Sequence, residues 1–362
     1  MLLQCTIFHI TIVVLLLKIE KYVVAKVNHT REDWKMLEGY CEERDKLLSM
    51  LNELINRTQG ILCPDDLTRR DLKSVEETAN KPFYILFMGY RCGKTSMINA
   101  LLGEDFFPAY WNSPTVAMIE LHYGPEKMIV YPRKGNWPDD RPFSILNPTV
   151  DQIAQYLSID GIVSVCEADG ENIQLTGIEF EKIVIYWPHE YLKNGIVLVD
   201  SPELCDEYEE EKQYIFENYV TKVDAIVYLM DGQRAGTNCD KETLAQINAF
   251  GQNQIIIAYT HADLFFRRCK PEMREKLKRY LHKWAEPFTS LSESGVHYVD
   301  SVAARVAKKN GDLQSLQKSG YAEFEKYLES YLLETSGKAR LARIRQYCEY
   351  YADKLKNAEE IC

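Results

Sequence analysis

The residues with the plainest chemistry are Gly93-Lys94-Thr95-Ser96. They follow an apolar run, Tyr84 to Met88, and open a run of helical spacing, Lys94 to Leu102. A strand, a tight loop and a helix in that order aim successive backbone N–H groups into one concavity, with a helix N-terminus behind them, and phosphate suits such a place. Lys94 is set to neutralise β- and γ-phosphates, and the Thr95 hydroxyl to hold Mg²⁺. Gly89, Tyr90, Arg91, Cys92, Gly93 and Ser96 make up the rest of the cradle. The pattern G-x-x-x-x-G-K-[ST] breaks at one position, because Met88 stands where the first glycine is expected. Gly89 beside it offers the backbone freedom instead. The competing reading is a chance GKT after a core strand.

Four later segments refine this. Asn112-Ser113-Pro114-Thr115 precedes an apolar strand, where a threonine can reach a γ-phosphate and Mg²⁺ from a loop that orders around a triphosphate. Ile196 to Leu204, IVLVDSPEL, is a buried strand ending in Asp200, the acid placed to hold Mg²⁺ through water. The usual D-x-P-G ending is here Asp200-Ser201-Pro202-Glu203, and a side chain in place of that glycine points to slow or lost hydrolysis. Ile255 to Asp263, IIIAYTHAD, matches a strand followed by [NT]-K-x-D. An Asp there accepts from the N1–H and N2–H₂ of guanine, groups adenine does not offer, so Asp263 is the base reader. Thr260 supports the loop, and His261 replaces the usual Lys with a ring able to stack. The competing reading of Asp263 is a helix N-cap. Val296 to Ala304, VHYVDSVAA, suits a loop that closes over the base, with Ser301 and Val302 as its contacts.

The elements that must position these groups follow from the patterning. Short apolar strands alternate with helices from about 82 to 333: Ala117 to Tyr123, Lys182 to Tyr186, Gly195 to Asp200, Ala225 to Met230, Gln254 to Tyr259 and Val296 to Val299, with helices at Tyr208 to Val220, Lys241 to Phe250 and Pro271 to Trp284. This is the pattern of an α/β fold with a doubly wound, mostly parallel sheet, whose ligands sit at the carboxyl ends of strands. Between Gly124 and Asn194 lies an insertion rich in Pro, Asp and Gly, with one helix at Val150 to Leu157. Residues 28–81 read as two amphipathic helices, Asp33 to Asn56 and Asp65 to Ala79. Residues 334–362 return to helix, with Leu341, Ile344, Cys348, Tyr351 and Leu355 on one stripe that suits docking on Leu37 to Ile55 in a partial helical bundle.

At 362 residues the chain can bury one large core or two small ones. A formal net charge of −11 argues against nucleic acid as the main partner, since phosphate backbones select basic surfaces. The 10 cysteines show neither zinc spacing nor a compact disulfide framework, which suits a reducing compartment. Within residues 1–27, Leu2 to Leu17 is almost unbroken apolar sequence, short of the roughly 20 residues a spanning helix needs. It reads as a membrane anchor with the rest at the cytoplasmic face. A signal peptide and an artefactual start of the reading frame are the alternatives, and the sequons at Asn28 and Asn56 read as chance.

With GKTSMINALLG at 93–103, SPTVAMIELHYG at 113–124, FEKIVIYWPHEYLKNGIVLVDSPEL at 180–204, DAIVYLMDG at 224–232 and AYTHAD, the chain resembles the GTPase domain of the dynamin superfamily over about Phe83 to Ala307. It is most similar to the bacterial dynamin-like and mitofusin-type branch. The resemblance implies a GTPase using GTP and Mg²⁺, a homodimer formed through G domains, and a helical bundle that remodels or tethers membrane. The loop Gly89-Tyr90-Arg91-Cys92 looks instead like the guanylate-binding-protein and atlastin type, whose Arg two places before the glycine acts as a finger in cis. Arg91 holds that place, and a salt-bridged surface Arg is the alternative. Arg91, Lys94 and Thr115 would then be catalytic; Thr95, Thr115 and Asp200 would hold the metal. A GTP-binding scaffold with little turnover is the second functional reading, and an ATP-using P-loop enzyme, disfavoured by Asp263, is the third.

Overall fold

The computed structural model describes residues 36–59, 66–107, 117–133, 141–157, 163–166, 172–175, 180–202, 213–261, 264, 266 and 269–359. The apolar run at 2–17, Thr115, Glu203 and Asp263 lie outside the described residues. The chain divides into two compact units, one of Lys81–Ser336 and one that joins the chain up to Asn80 with Gly337 onward.

The second of these units holds α1 (Met36–Gln59) and α2 (Asp66–Asn80). In the first unit come β1 (Phe83–Met88), α3 (Lys94–Leu102), β2 (Met118–Tyr123), β3 (Lys127–Pro132), β4 (Phe143–Leu146) and α4 (Val150–Leu157). They are followed by β5 (Val163–Cys166), β6 (Asn172–Leu175), β7 (Phe180–Trp187), α5 (Glu190–Lys193), β8 (Ile196–Asp200), a π-helical turn at Phe216–Val220 and β9 (Ala225–Asp231). The rest is α6 (Asn238–Ala249), β10 (Ile255–Thr260), α7 (Pro271–Ala285), β11 (Val296–Tyr298), α8 (Ser301–Asn310), α9 (Leu313–Lys318) and α10 (Tyr321–Leu332). The last helix, α11 (Lys338–Glu359), belongs with α1 and α2.

Nine strands form one sheet in the order β11-β10-β9-β1-β8-β2-β7-β3-β4. From β11 to β8 every pairing is parallel; β2 then runs antiparallel to β8 and parallel to β7, and β3 and β4 add antiparallel pairings. The central strands are buried on both faces, as parallel strands covered by helices must be, and β8 is buried along its whole length. One face carries Leu86, Met88, Val197, Val199, Ile226, Tyr228, Ile257 and Tyr259, covered by Phe216 and Tyr219 of the π-helical turn, Leu244 and Ile247 of α6, and Leu281 and Ala285 of α7. Strand alternation turns Ile85, Phe87, Leu198, Val227 and Leu229 to the other face, and these too are buried.

The helix expected at 94–102 and the one at 150–157 stand as read, and α7 begins with Pro271 at its first turn, where a missing N–H costs nothing. Three differences stand out. The 124–194 insertion, where one helix at 150–157 and a strand at 182–186 were expected, also contains β3 and β4, which extend the sheet, and a β5–β6 hairpin. β3 alternates buried and half-buried residues over only six positions, too short a run to separate from loop by pattern alone. Second, 301–304 is the start of α8 rather than a loop, because Asp300 caps it by accepting from Ala303 N–H at 2.9 Å. Third, α9 and α10 follow where no helix was read.

In the helical unit α11 packs on α1. Leu341, Ile344, Cys348, Tyr351 and Leu355 are buried, as are Leu37, Tyr40, Leu47, Leu51, Leu54 and Ile55, while Arg345 pairs with buried Glu43. Among the described residues no helix is long and apolar enough to cross a membrane.

Candidate functional site

The loop between β1 and α3 turns through positive φ at Gly89 (136°), Arg91 (44°) and Gly93 (80°). Only glycine adopts the first without strain, and space demands it as well: a Cβ on Gly89 would lie 2.3 Å from the Leu229 carbonyl oxygen. Met88, at the place of the usual first glycine, is the last residue of β1 and fully buried, pairing with Tyr228 of β9. The turn has thus moved one residue along, to Gly89. Gly93 caps α3 from the left-handed region and offers no side chain to the first turn, which leaves those N–H groups to an anion.

Lys94 is buried, and its ammonium donates to the Gly89 carbonyl at 2.9 Å, folding back across the loop it serves. Thr95 Oγ1 donates to Asp200 Oδ2 at 3.2 Å. Asp200 ends β8 and Thr95 lies in the first turn of the helix that follows β1, and the two strands are neighbours, since Phe87 of β1 pairs with Asp200. Ser201 follows, buried, its amide donating to the Phe87 carbonyl at 3.2 Å. Ser96 is half-buried on the first turn of α3, and Cys92 is fully buried. Arg91 is exposed, with its guanidinium 5.4 Å from the centre of the Tyr90 ring.

The third strand end brings Thr260. Its hydroxyl donates to the Cys92 carbonyl at 2.8 Å, so the end of β10 is tied to the phosphate loop across 168 positions of sequence. His261 takes a left-handed backbone (φ 54°), and its Nδ1 lies 3.5 Å from Asp231 Oδ1 at the end of β9. The structure therefore gathers Gly89 to Ser96, Asp200, Thr260 and His261 at the carboxyl ends of β1, β8, β9 and β10. Ser301 is placed otherwise than expected: it opens α8, is buried, and its hydroxyl faces Met97 Sδ of α3 at 3.3 Å. The exposed member of that pair is Val302. Thr115 and Asp263 lie outside the described residues.

Sequence reading missed the groups that brace α3 from beneath. Tyr321 Oη donates to the Met97 carbonyl at 2.5 Å and Lys308 Nζ to the Leu101 carbonyl at 3.1 Å. Both lie more than 200 positions from their partners, beyond any local signal.

Mg²⁺ prefers oxygen donors and is held by one or two protein groups together with substrate phosphates and water. A hydroxyl and a carboxylate converging at one loop fit that demand.

A glycine-turned loop between the first strand and its helix, with Lys, Thr and Asp gathered at adjacent carboxyl ends of a mostly parallel sheet, defines a P-loop nucleotide-binding domain. The model of the Dynamin family matches residues 85–260, the stretch that contains all three. Over residues 85–260 the chain carries a Dynamin family domain. Dynamin-like protein 1 of Campylobacter jejuni is 27% identical over 336 residues, which is 85% of this chain and 45% of that protein. The bacterial dynamin-like protein of Nostoc punctiforme is 26% identical over 217 residues, 58% of this chain and 29% of its own. A solved oligomerised bacterial dynamin pair, described as providing a mechanism for long-range sensing and tethering of membranes, aligns with a TM-score of 0.60 at 21% identity, over 91% of this chain and 57% of that one. The chain spans less than two thirds of the length of each of these relatives.

Proposed function

We propose that this protein binds GTP with Mg²⁺ and hydrolyses it to GDP and phosphate, with turnover stimulated by contact between the G domains of two copies and with membrane tethering or remodelling as its output. The observation that carries the reading is the convergence of Lys94, Thr95 and Asp200 on the glycine-turned loop, with Thr260 tying the base-reading strand to it.

In this reading the N–H groups from Gly89 to Ser96 cradle the phosphates, and Lys94 exchanges the Gly89 carbonyl for phosphate oxygen. Thr95, Thr115 and Asp200 hold Mg²⁺, which spreads and neutralises charge on the β- and γ-phosphates. Asp263 reads the guanine edge, His261 lies against the base, and Thr260 holds the strand end that presents them. Ser301, buried at the start of α8, acts by setting that helix against α3. Arg91, exposed at the tip of the loop, directs its guanidinium at the γ-phosphate, an effect worth about 10³ to 10⁵ in rate where arginine fingers operate. No side chain is assigned as a general base, because backbone groups can position the attacking water. The N-terminal apolar run attaches the protein to the cytoplasmic face of a membrane. The oligomerised, membrane-tethering neighbour supports membrane tethering as the output.

Multiple-turnover phosphate release from GTP and from ATP, with Mg²⁺ and across protein concentrations, tests this beside a Lys94→Ala control. GTP-selective release that rises per molecule with concentration, and falls at least 100-fold in the control, is the expected outcome. Tight GTP binding without release would instead leave a GTP-binding scaffold, and equal use of ATP would remove the role given to Asp263.

A further inference from the structure

Lys308 lies at the far end of α3 from the phosphate loop. Its ammonium donates to the Leu101 carbonyl at 3.1 Å, one of the last-turn carbonyls that have no intrahelical partner. The same ammonium is 2.9 Å from both carboxylate oxygens of Glu325 on α10. Its stem fills the space above Gly103, where an added Cβ would meet Lys308 Cβ at 3.3 Å. The rings of Tyr191 and Tyr321 lie 6.0 Å and 5.5 Å from the ammonium. On the next turn of α8, Arg305 pairs with Asp105 just beyond the end of α3.

Two considerations separate this from ordinary packing. The pair is largely buried, with side-chain exposures of 18% for Lys308 and 4% for Glu325. Such a pair loses hydration that its attraction barely recovers, and apolar residues of the same size serve stability as well or better. A positive charge at a helix C-terminus also completes the helix dipole whose positive end faces the phosphates. What the charge pair provides beyond packing is a fixed placement along the axis of α3, a rigid rod of about 13 Å.

We propose that Lys308, held by Glu325, is a positioning residue of the nucleotide site, setting α3 and with it Gly93, Lys94 and Thr95 at the opposite end. The inference rests on the nucleotide reading above. A displacement of about 1 Å at a reacting centre costs up to about 100-fold in rate.

The test compares the full chain with Lys308→Met, Lys308→Arg and the double variant Lys308→Met/Glu325→Gln. Thermal midpoint, KM and kcat for phosphate release from GTP, and hydrogen exchange at the α3 amides are measured for each. The double variant leaves no unpaired buried charge, so its midpoint is expected near wild type. Its kcat is expected to fall about 10- to 100-fold with KM changed less than about 3-fold, α3 exchange faster, and Lys308→Arg recovering most of kcat. A double variant with wild-type kcat and exchange overturns the proposal, as does a loss of kcat that only follows the midpoint and is equal in Lys308→Arg. If wild type releases no phosphate, the hydrolysis reading fails on its own. Exchange at α3 then decides the clamp: faster in the double variant supports it, unchanged overturns it.

Discussion

Gly89 is the residue on which the phosphate loop turns, and its constraint is both torsional and steric. Gly89→Ala would require φ near 136° for a residue with a Cβ, against a carbonyl oxygen only 2.3 Å away. We expect this substitution to abolish GTP binding and to destabilise the fold by at least about 1–3 kcal/mol, measured by nucleotide titration and denaturant unfolding. Wild-type binding in Gly89→Ala would show that the loop reaches its active form by another path. Asp263 is tested by exchanging its chemistry rather than deleting it. Asp263→Asn presents an amide donor where a carboxylate accepted, so preference should move from guanine towards xanthine nucleotides by at least about 10-fold in Kd, the scale of one good polar contact. Thr260→Val removes the hydroxyl that donates to the Cys92 carbonyl, with an expected cost of about 0.5–1.5 kcal/mol in unfolding free energy.

At the scale of elements, a buried acid and a half-buried one give opposite pH dependences. Glu120 on β2 is buried, which opposes its ionisation, yet hydrogen bonds from His122 and Tyr219 and the charge of Lys182 together pull it down to about 2. The Tyr219 hydroxyl meets it at 2.7 Å and His122 Nε2 at 2.9 Å. A carboxyl lowered in the folded state contributes stability above its ordinary value, and that contribution drains away as pH falls from about 4.5 towards 2. Glu329 on α10 is pushed up to about 7, first by burial and then by the neighbouring Glu325 carboxylate. Its contribution is complete below about 4.5 and is lost as pH rises through about 7. Unfolding free energy measured from pH 3 to 8 should therefore rise and then decline. Glu120→Gln should flatten the acid limb and Glu329→Gln the neutral one. An unchanged neutral limb in Glu329→Gln would mean that this carboxyl is ionised in the fold.

For the whole molecule, the two compact units invite separate perturbation. Ile344 is fully buried in the helical unit, between residues of α11 that face α1. Ile344→Ala should cost about 2–5 kcal/mol there, as large-to-small changes in cores do, while nucleotide affinity of the sheet-bearing unit stays within about 2-fold. Calorimetry beside nucleotide titration reads both, and a large loss of affinity would show that the units answer to one another energetically.

How much of this was legible beforehand differs from element to element. β1, α3, β8, β9 and β10 could be read because each is a short, strongly apolar or regularly spaced run whose period is a local property. The glycine-turned loop after β1 and Asp200 at the end of β8 were equally plain as positions, because a motif fixes residue types at a fixed spacing. The β3–β4 extension was not legible, since an edge strand such as β4, alternating half-buried and exposed residues, differs little from loop until a partner lies beside it. Ser301 was misplaced for a related reason: a run of small residues is equally compatible with loop and helix, and only the Asp300 cap and the packing of α8 on α3 decide between them. The sequence by itself determined which residue types stand in the loop after β1 and at the ends of β8 and β10, as that is a matter of local spacing. Tertiary structure alone decided that Thr260 meets Cys92, that Gly89 and not residue 88 makes the turn, and that Lys308 and Tyr321 brace α3. Those are contacts between segments up to 224 positions apart, and they exist only once the sheet has brought its strand ends together.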